Sequence, residues 1–327
     1  MPANCNPTAR ILSLVLVSAL LSLAACSPEP STSLRLGICP WPVDDFLYLA
    51  EQKEFTHDEG LDLRIVEFSS VSDARRAYER GKIDALAATV VEVLQIRDDS
   101  TRSPQIVQVL DYSDGADVIL ARAGITNLAG LRGARIGMEP ASLSGYVLGR
   151  ALEKAGLSLA DVKPVSLVQL DLHEAFRRGE LDAIVTYPPA SLALMRNGRA
   201  NKIFSTAEIP GEVLDVIAVE ADVITKRSKD VAALLRAYHR ALVYARENPA
   251  DAYRIMAERE NITPEDFHLA LKDGIRLLSD SDQATYLRPD GKLAAVIDTS
   301  DRLLRQSGQI NGPDRRAGAS TSTFLKN

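Results

Sequence analysis

Ala77-Tyr78-Glu79-Arg80-Gly81-Lys82-Ile83-Asp84-Ala85 returns later in the chain as Ala175-Phe176-Arg177-Arg178-Gly179-Glu180-Leu181-Asp182-Ala183. Each copy reads as the end of a helix, a glycine able to cap it in the left-handed conformation, and the opening of a buried strand. Two further segments recur in the same order and at nearly the same offset. Leu36-Gly37-Ile38-Cys39-Pro40 comes back as Ile136-Gly137-Met138-Glu139-Pro140, and Glu59-Gly60-Leu61-Asp62-Leu63 is echoed by Ala155-Gly156-Leu157-Ser158-Leu159. The chain therefore holds two copies of one βαβαβ design.

Working outward, the apolar stretches Leu34–Ile38, Leu61–Phe68 and Ile83–Ala88 predict buried strands, with helical residues at 73–78 between them. The second copy predicts strands at 134–138, 165–167 and 183–186, with helices at 144–154 and 172–178. Strand–helix alternation implies an α/β fold of two lobes, each a doubly wound, mostly parallel sheet with flanking helices. Residues 105–121 read as the crossing between lobes and 212–219 as the return. The first lobe is then 34–114 with 217–310, and the second is 115–216. Residues 226–247 form a long amphipathic run. Asn248-Pro249 and Thr263-Pro264 each place a cap residue before a proline at the first helical position, and these helices are expected on the first lobe. Residues 311–327, rich in Gly, Ser and Arg, read as a disordered tail.

The 327 residues are 46% hydrophobic and 25% charged, values that exclude a disordered chain or a collagen. Net charge is −6 and the 38 Lys and Arg form no run, which argues against a nucleic-acid surface. Arg10 precedes the apolar run 11–25, and Cys26-Ser27-Pro28-Glu29-Pro30-Ser31 follows it. A run of that length spans about 22 Å as a helix, short of a ~30 Å bilayer core. Residues 1–25 therefore read as an export signal peptide and 26–33 as a tether. Leu23-Ala24-Ala25-Cys26 is similar to the bacterial lipoprotein box, which implies palmitate-type lipidation of Cys26 and a domain held at a membrane face. Of the three cysteines, Cys5 leaves with the signal and Cys26 carries lipid. Cys39 is left alone and reads as a small buried hydrophobe.

In parallel sheets ligands sit beyond the carboxyl ends of strands. That rule selects Trp41 and Asp45 after the first strand, Glu139, Ser142 and Ser144 after its counterpart, Thr89 and Tyr187 after the third strands, and Asp114 and Asp215 on the crossings. Trp41, the sole tryptophan, lies between two prolines and suits either ligand stacking or interlobe packing. Ser142 and Ser144 suit helix caps, and a helix N-terminus also holds polar groups. Asp45, Asp114, Glu139 and Asp215 make the expected cleft acidic. That disfavours a bare anion unless Lys or Arg approaches, and favours an amine, a zwitterion or a hydrogen-bonding heterocycle. The four histidines share no metal-ligand spacing. G-x-S-x-G, P-loop, G-x-G-x-x-G and C-x-x-C motifs do not occur, so neither a catalytic residue nor a cofactor is assigned.

Several segments in order carry a family resemblance: Pro40-Trp41-Pro42 with Tyr48-Leu49-Ala50, Gly81-Lys82-Ile83-Asp84-Ala85, Asp111-Tyr112-Ser113-Asp114-Gly115-Ala116-Asp117, Tyr187-Pro188-Pro189, and Asn248-Pro249. From Leu34 to Ile310 the chain resembles the substrate-binding lipoproteins of ABC importers for sulfonates, taurine, nitrate and thiamine-pyrimidine precursors. The resemblance implies a periplasmic-binding-protein type II fold. It also implies a monomeric, non-enzymatic protein at the periplasm or cell surface. Such a protein captures a small polar nitrogen- or sulfur-containing solute between its lobes and delivers it to ABC permease subunits. Trp41, Asp45, Thr89, Asp114, Ser142, Ser144 and Tyr187 match the family's site positions. Val43-Asp44 stands where many members have Gly and an aromatic, and Tyr187-Pro188 where Trp-Glu is common. The alternatives are a ligand-sensing partner of a membrane receptor and a small-molecule enzyme on the same fold, such as a pyrimidine-precursor synthase.

Overall fold

A computed structural model describes residues 33–325 except Asn197 and Arg199. Residues 1–25, read from sequence as an export signal, and Cys26 lie outside the described residues. Eleven strands, here β1 Leu34–Ile38, β2 Leu63–Glu67, β3 Ala85–Thr89, β4 Pro104–Ser113, β5 Val118–Ala121, β6 Arg135–Met138, β7 Lys163–Ser166, β8 Ala183–Thr186, β9 Asn201–Ser205, β10 Leu214–Glu220 and β11 Ile275–Leu277, form two sheets among these residues. The first sheet runs β11-β4-β10-β3-β1-β2 and the second β7-β6-β8-β5-β9. In each, three strands pair in parallel: β2-β1-β3 and β7-β6-β8. The crossing strands β10 and β5 then add antiparallel to the third strand of each trio.

The repeat is visible as chemistry. Arg35 donates from its backbone N and side chain to Asp84, with Nη2 2.6 Å from Oδ1, and Arg135 grips Asp182 in the same way with Nη2 at 3.0 Å. Gly37 and Gly137 occupy matching positions on β1 and β6. A Cβ there would stand 2.6 Å from Ile83 Cδ1 in the first lobe and 2.4 Å from Leu172 Cδ2 in the second. The repeated glycine is thus where apolar side chains press onto the first strand of each trio, Ile83 and Phe68 in the first lobe and Leu172 and Leu181 in the second.

The principal helices are α1 Asp45–Gln52, α2 Val71–Glu79, α3 Val90–Asp99, α4 Leu143–Lys154, α5 Gln169–Arg178, α6 Ser228–Glu247, α7 Pro249–Arg259, α8 Pro264–Lys272 and α9 Lys292–Gln306. Helix α6 buries Val231, Leu234, Tyr238 and Ala241, spaced three or four apart, and packs with α7 on α1. That apolar stripe, with Met256 of α7 and Phe267 of α8, joins the core on the first sheet. Thr263 caps α8 by accepting from Asp266 N at 3.1 Å. Asn248 does not cap α7, because its side-chain amide turns back and donates to Tyr244 O at 3.2 Å.

Two boundaries differ from the sequence expectation. Leu214, Asp215 and Val216 belong to the first sheet, paired with β3 and β4. The tail expected to be disordered is docked as far as it is described. Arg97 donates to the carbonyls of Arg315 and Ala317 at 2.7 and 2.6 Å, and Asp98 accepts from the backbone N of Asn311 and Gly312. Ser320 bridges Ile106 in parallel, covering the edge of β4 beyond the reach of β11. Backbone groups meeting charged side chains do this, so a polar composition gives no sign of it. Among the described residues no helix is long and apolar enough to cross a membrane.

Candidate functional site

Where the carboxyl ends of β1, β3 and β8 meet the crossings, a cavity of roughly 60 Å³ opens between the sheets. Cys39, Trp41, Asp44, Thr89 and Asp215 line it from the first lobe, and Asp117, Leu143 and Tyr187 from the second. The volume holds a few waters or a compact small molecule. Trp41 is 8% exposed, and its Nε1 donates to Asp111 Oδ2 at 3.2 Å. That bond sets the indole edge-on to Tyr187 across the lobes, with ring centroids 5.8 Å apart. The indole thus lines the cavity and packs across the lobes at the same time.

Thr89 ends β3 and caps α3, with Oγ1 accepting from Val91 N at 3.1 Å. It forms a capping box with Glu92, whose Oε2 accepts from Thr89 N at 2.9 Å. The other oxygen, Oε1, crosses to the second lobe and accepts from Leu143 N, the first residue of α4, at 2.6 Å. A reciprocal contact runs the other way. Glu139 Oε1 of the second lobe accepts from Ser72 N and Oγ, in the first turn of α2, at 2.9 and 2.8 Å. Each lobe sends one carboxylate to a helix N-terminus of the other, where the exposed N–H groups and the helix dipole favour negative charge.

Of the nine positions expected to form the site, Trp41, Thr89, Tyr187 and Asp215 line the cavity. The other five do not. Asp45 is fully buried behind the loop, ion-paired with Arg259 Nη1 at 2.6 Å. Asp114 stands out on the crossing and pairs with Arg276 Nη2 at 3.1 Å. Glu139 is held by Ser72. Ser142 caps α4, accepting from Ser144 N at 3.2 Å and donating to Glu139 O at 3.0 Å, and Ser144 is buried in that first turn. Sequence reading missed Asp44, Glu92, Asp111 and Asp117. The Thr89-x-x-Glu92 capping box marks Glu92, while the short crossing 111–117 carries the two aspartates.

Burial dominates the electrostatics. It pushes Asp44 up to about 7 and Asp117 up to about 6. Asp111 and Asp215 are cross-strand partners on β4 and β10; burial, with the charges of Asp44 and Asp117, raises both well above the carboxylate range, and Asp111 raises Asp215 further. Glu92 is raised by burial despite its hydrogen bonds. The Cys39 thiol is pushed well up by burial, with Asp44, Glu139 and Glu92 adding to the shift. It therefore keeps its proton and makes a weak nucleophile. None of the described residues lining the cavity is Lys or Arg. Asp117, 5% exposed, has one carboxylate oxygen, Oδ2, with no hydrogen-bond partner among the described residues. Nor do three His, Cys, Asp or Glu side chains among those residues converge to hold a metal ion.

A family model described as NMT1/THI5 like matches residues 41–252. A putative aliphatic sulfonates-binding protein of Escherichia coli (strain K12) is 36% identical over 86 residues, 25% of this chain and 27% of its own length. The taurine-binding periplasmic protein of the same organism is 25% identical over 221 residues, 64% of this chain and 61% of its own. The chain thus spans less than two thirds of the length of these curated relatives. Among solved structures, the alkanesulfonate-binding protein SsuA from Xanthomonas axonopodis pv. citri, bound to MOPS, superposes with a TM-score of 0.77 at 20% identity, covering 90% of this chain and 99% of that one. The desulfurization enzyme DSZB shares the fold with a TM-score of 0.65 at 16% identity, covering 89% and 97%.

Proposed function

From the premise that this chain belongs to the NMT1/THI5-like family, we propose that it is the solute-binding protein of an ABC importer. It captures a small polar nitrogen- or sulfur-containing molecule between its lobes and presents the closed form to membrane permease subunits. In this reading the protein is an exported monomer tethered through lipid on Cys26. The taurine- and aliphatic sulfonate-binding relatives support a solute-binding role. The observation that carries the proposal is the cavity walled from both lobes and closed by reciprocal carboxylate contacts. A solute that touches both walls binds the closed arrangement better than the parted one, and so shifts the population toward it.

Trp41, Thr89, Tyr187 and Asp215, joined by Asp44 and Asp117, contact the solute. Glu139 and Ser142 act on closure, and Asp45 on the frame. The protonated thiol of Cys39 disfavours a thiolate-based reaction in the cavity. A thermal-shift screen of the full chain against sulfonates, taurine, nitrate, amines, pyrimidines and flavins tests the proposal. A saturable rise of the midpoint is expected for one class, by mass action. Turnover of a bound compound would instead favour the enzyme reading.

A further inference from the structure

We infer that the solute of this cavity is a compact organic cation, an alkylammonium or amidinium with no acidic group; the inference rests on the solute-binding reading above. Helix N-termini at the mouth of a cleft are the usual seats for an anionic head, because their N–H groups lack partners within the helix. Four helix N-termini reach the cavity wall, at Asp44, Val71, Thr89 and Leu143. Two of them are taken by the protein's own acids across the lobes, Glu139 on the first turn of α2 and Glu92 on the first residue of α4, and Thr89 caps α3 itself. A sulfonate or carboxylate would sit among Asp44, Asp117 and Asp215 with no lining Lys or Arg to offset its charge.

The same surroundings suit a cation. Three aspartates line the cavity, from β10, the loop after β1 and the crossing. Asp117 Oδ2 is buried and awaits a donor. Trp41 and Tyr187 add aromatic walls of the kind that attract ammonium groups. Burial holds Asp44 and Asp117 at raised pKa values near neutrality, so an entering cation relieves the cost of ionising them. With roughly 60 Å³ in the closed arrangement, the head that enters has few heavy atoms.

Trp41 is the only tryptophan in the chain, so intrinsic fluorescence reads the cavity directly. The full chain is titrated with ethylammonium, guanidinium and tetramethylammonium, and in parallel with ethanesulfonate, taurine and calcium. At least one cationic probe is expected to change the emission saturably, while ethanesulfonate does not. Asp117→Asn is expected to weaken that probe about tenfold or more, since a bond to a charged group is lost, while its thermal midpoint stays at or above that of the wild type. Asp215→Asn serves as the second variant should the first fold poorly. Saturation by ethanesulfonate or taurine without a cationic probe overturns the cation and leaves the solute-binding reading intact. Silence of all three organic cations, or saturation by calcium alone, also overturns the cation. Turnover of a probe overturns the solute-binding reading itself.

Discussion

Replacing Glu139 by alanine isolates the contact between the lobes. In the closed arrangement one oxygen of Glu139 takes two donors of Ser72, at 2.9 and 2.8 Å. Hydrogen bonds to an ionised group contribute about 1.5–3 kcal/mol each. Two that share an oxygen, offset by the burial that raises this carboxyl's pKa, together come to about 3 kcal/mol. When the lobes part, the donors return to water, so the loss falls on closure and not on either lobe's own stability. At about 1.4 kcal/mol per tenfold, solute affinity should drop up to about 100-fold. Trp41, now packed edge-on to Tyr187, should become wetter, and its emission should move to the red. Ser72→Ala should act on the same contact, so the double variant should fall well short of the sum of the singles. If Glu139→Ala leaves both emission and affinity within about twofold of the wild type, the clasp does not hold the lobes together and the reasoning fails.

Arg259, which is nearly buried, pairs with Asp45, Glu260 and Glu67 at 2.6, 2.9 and 2.9 Å. Arg259→Met should cost about 3–5 kcal/mol in denaturant unfolding, because it leaves buried charge uncompensated; a loss below about 1 kcal/mol would contradict that role. Gly37→Ala and Gly137→Ala should each cost about 1–3 kcal/mol by overpacking, and equal stability to wild type would show that the two lobes absorb the methyl. Acids with raised folded-state pKa values hold protons that the unfolded chain has already released, so stability falls as pH climbs through those values. The groups concerned face one another around the cavity: Asp44 at about 7, Asp117 at about 6, the Asp111–Asp215 pair, and Glu92. His173, pushed down to about 4 by burial, opposes them only below about 6.5, where the unfolded imidazole is charged. Between about pH 6.5 and 8.5 the thermal midpoint of the solute-free protein should therefore fall, less steeply in Asp44→Asn; a rising midpoint would contradict the raised values.

Much of the fold was legible because the repeat writes its contacts twice. The Arg35–Asp84 and Arg135–Asp182 forks, and the crowded glycines at 37 and 137, are the physical content of the matched segments. The site was legible only where strand ends fix direction, as at Trp41, Thr89 and Tyr187. Asp44 and Asp45 are neighbours in sequence, yet the turn into α1 sends the first to the cavity and the second to Arg259, on a helix more than 200 residues later. Asp114 failed for a similar reason: the crossing turns outward there, while Asp111 and Asp117 on either side face inward. Ser142 and Ser144 do begin a helix as expected. What sequence order does not carry is that Glu92, from the other lobe, fills the N-terminus of that helix.

Cys39 gives the most direct test that a solute enters between the lobes. Its thiol lines the cavity and is the free cysteine among the described residues. The rate of N-ethylmaleimide modification at Cys39, followed by peptide mass on the full chain, can be compared with and without a saturating concentration of whichever probe shifts the thermal midpoint. A solute seated beside the thiol and holding the lobes closed should slow modification by about tenfold or more, in proportion to the fraction of time the cleft is shut. An unchanged or faster rate at saturation would place the bound molecule elsewhere and contradict the account.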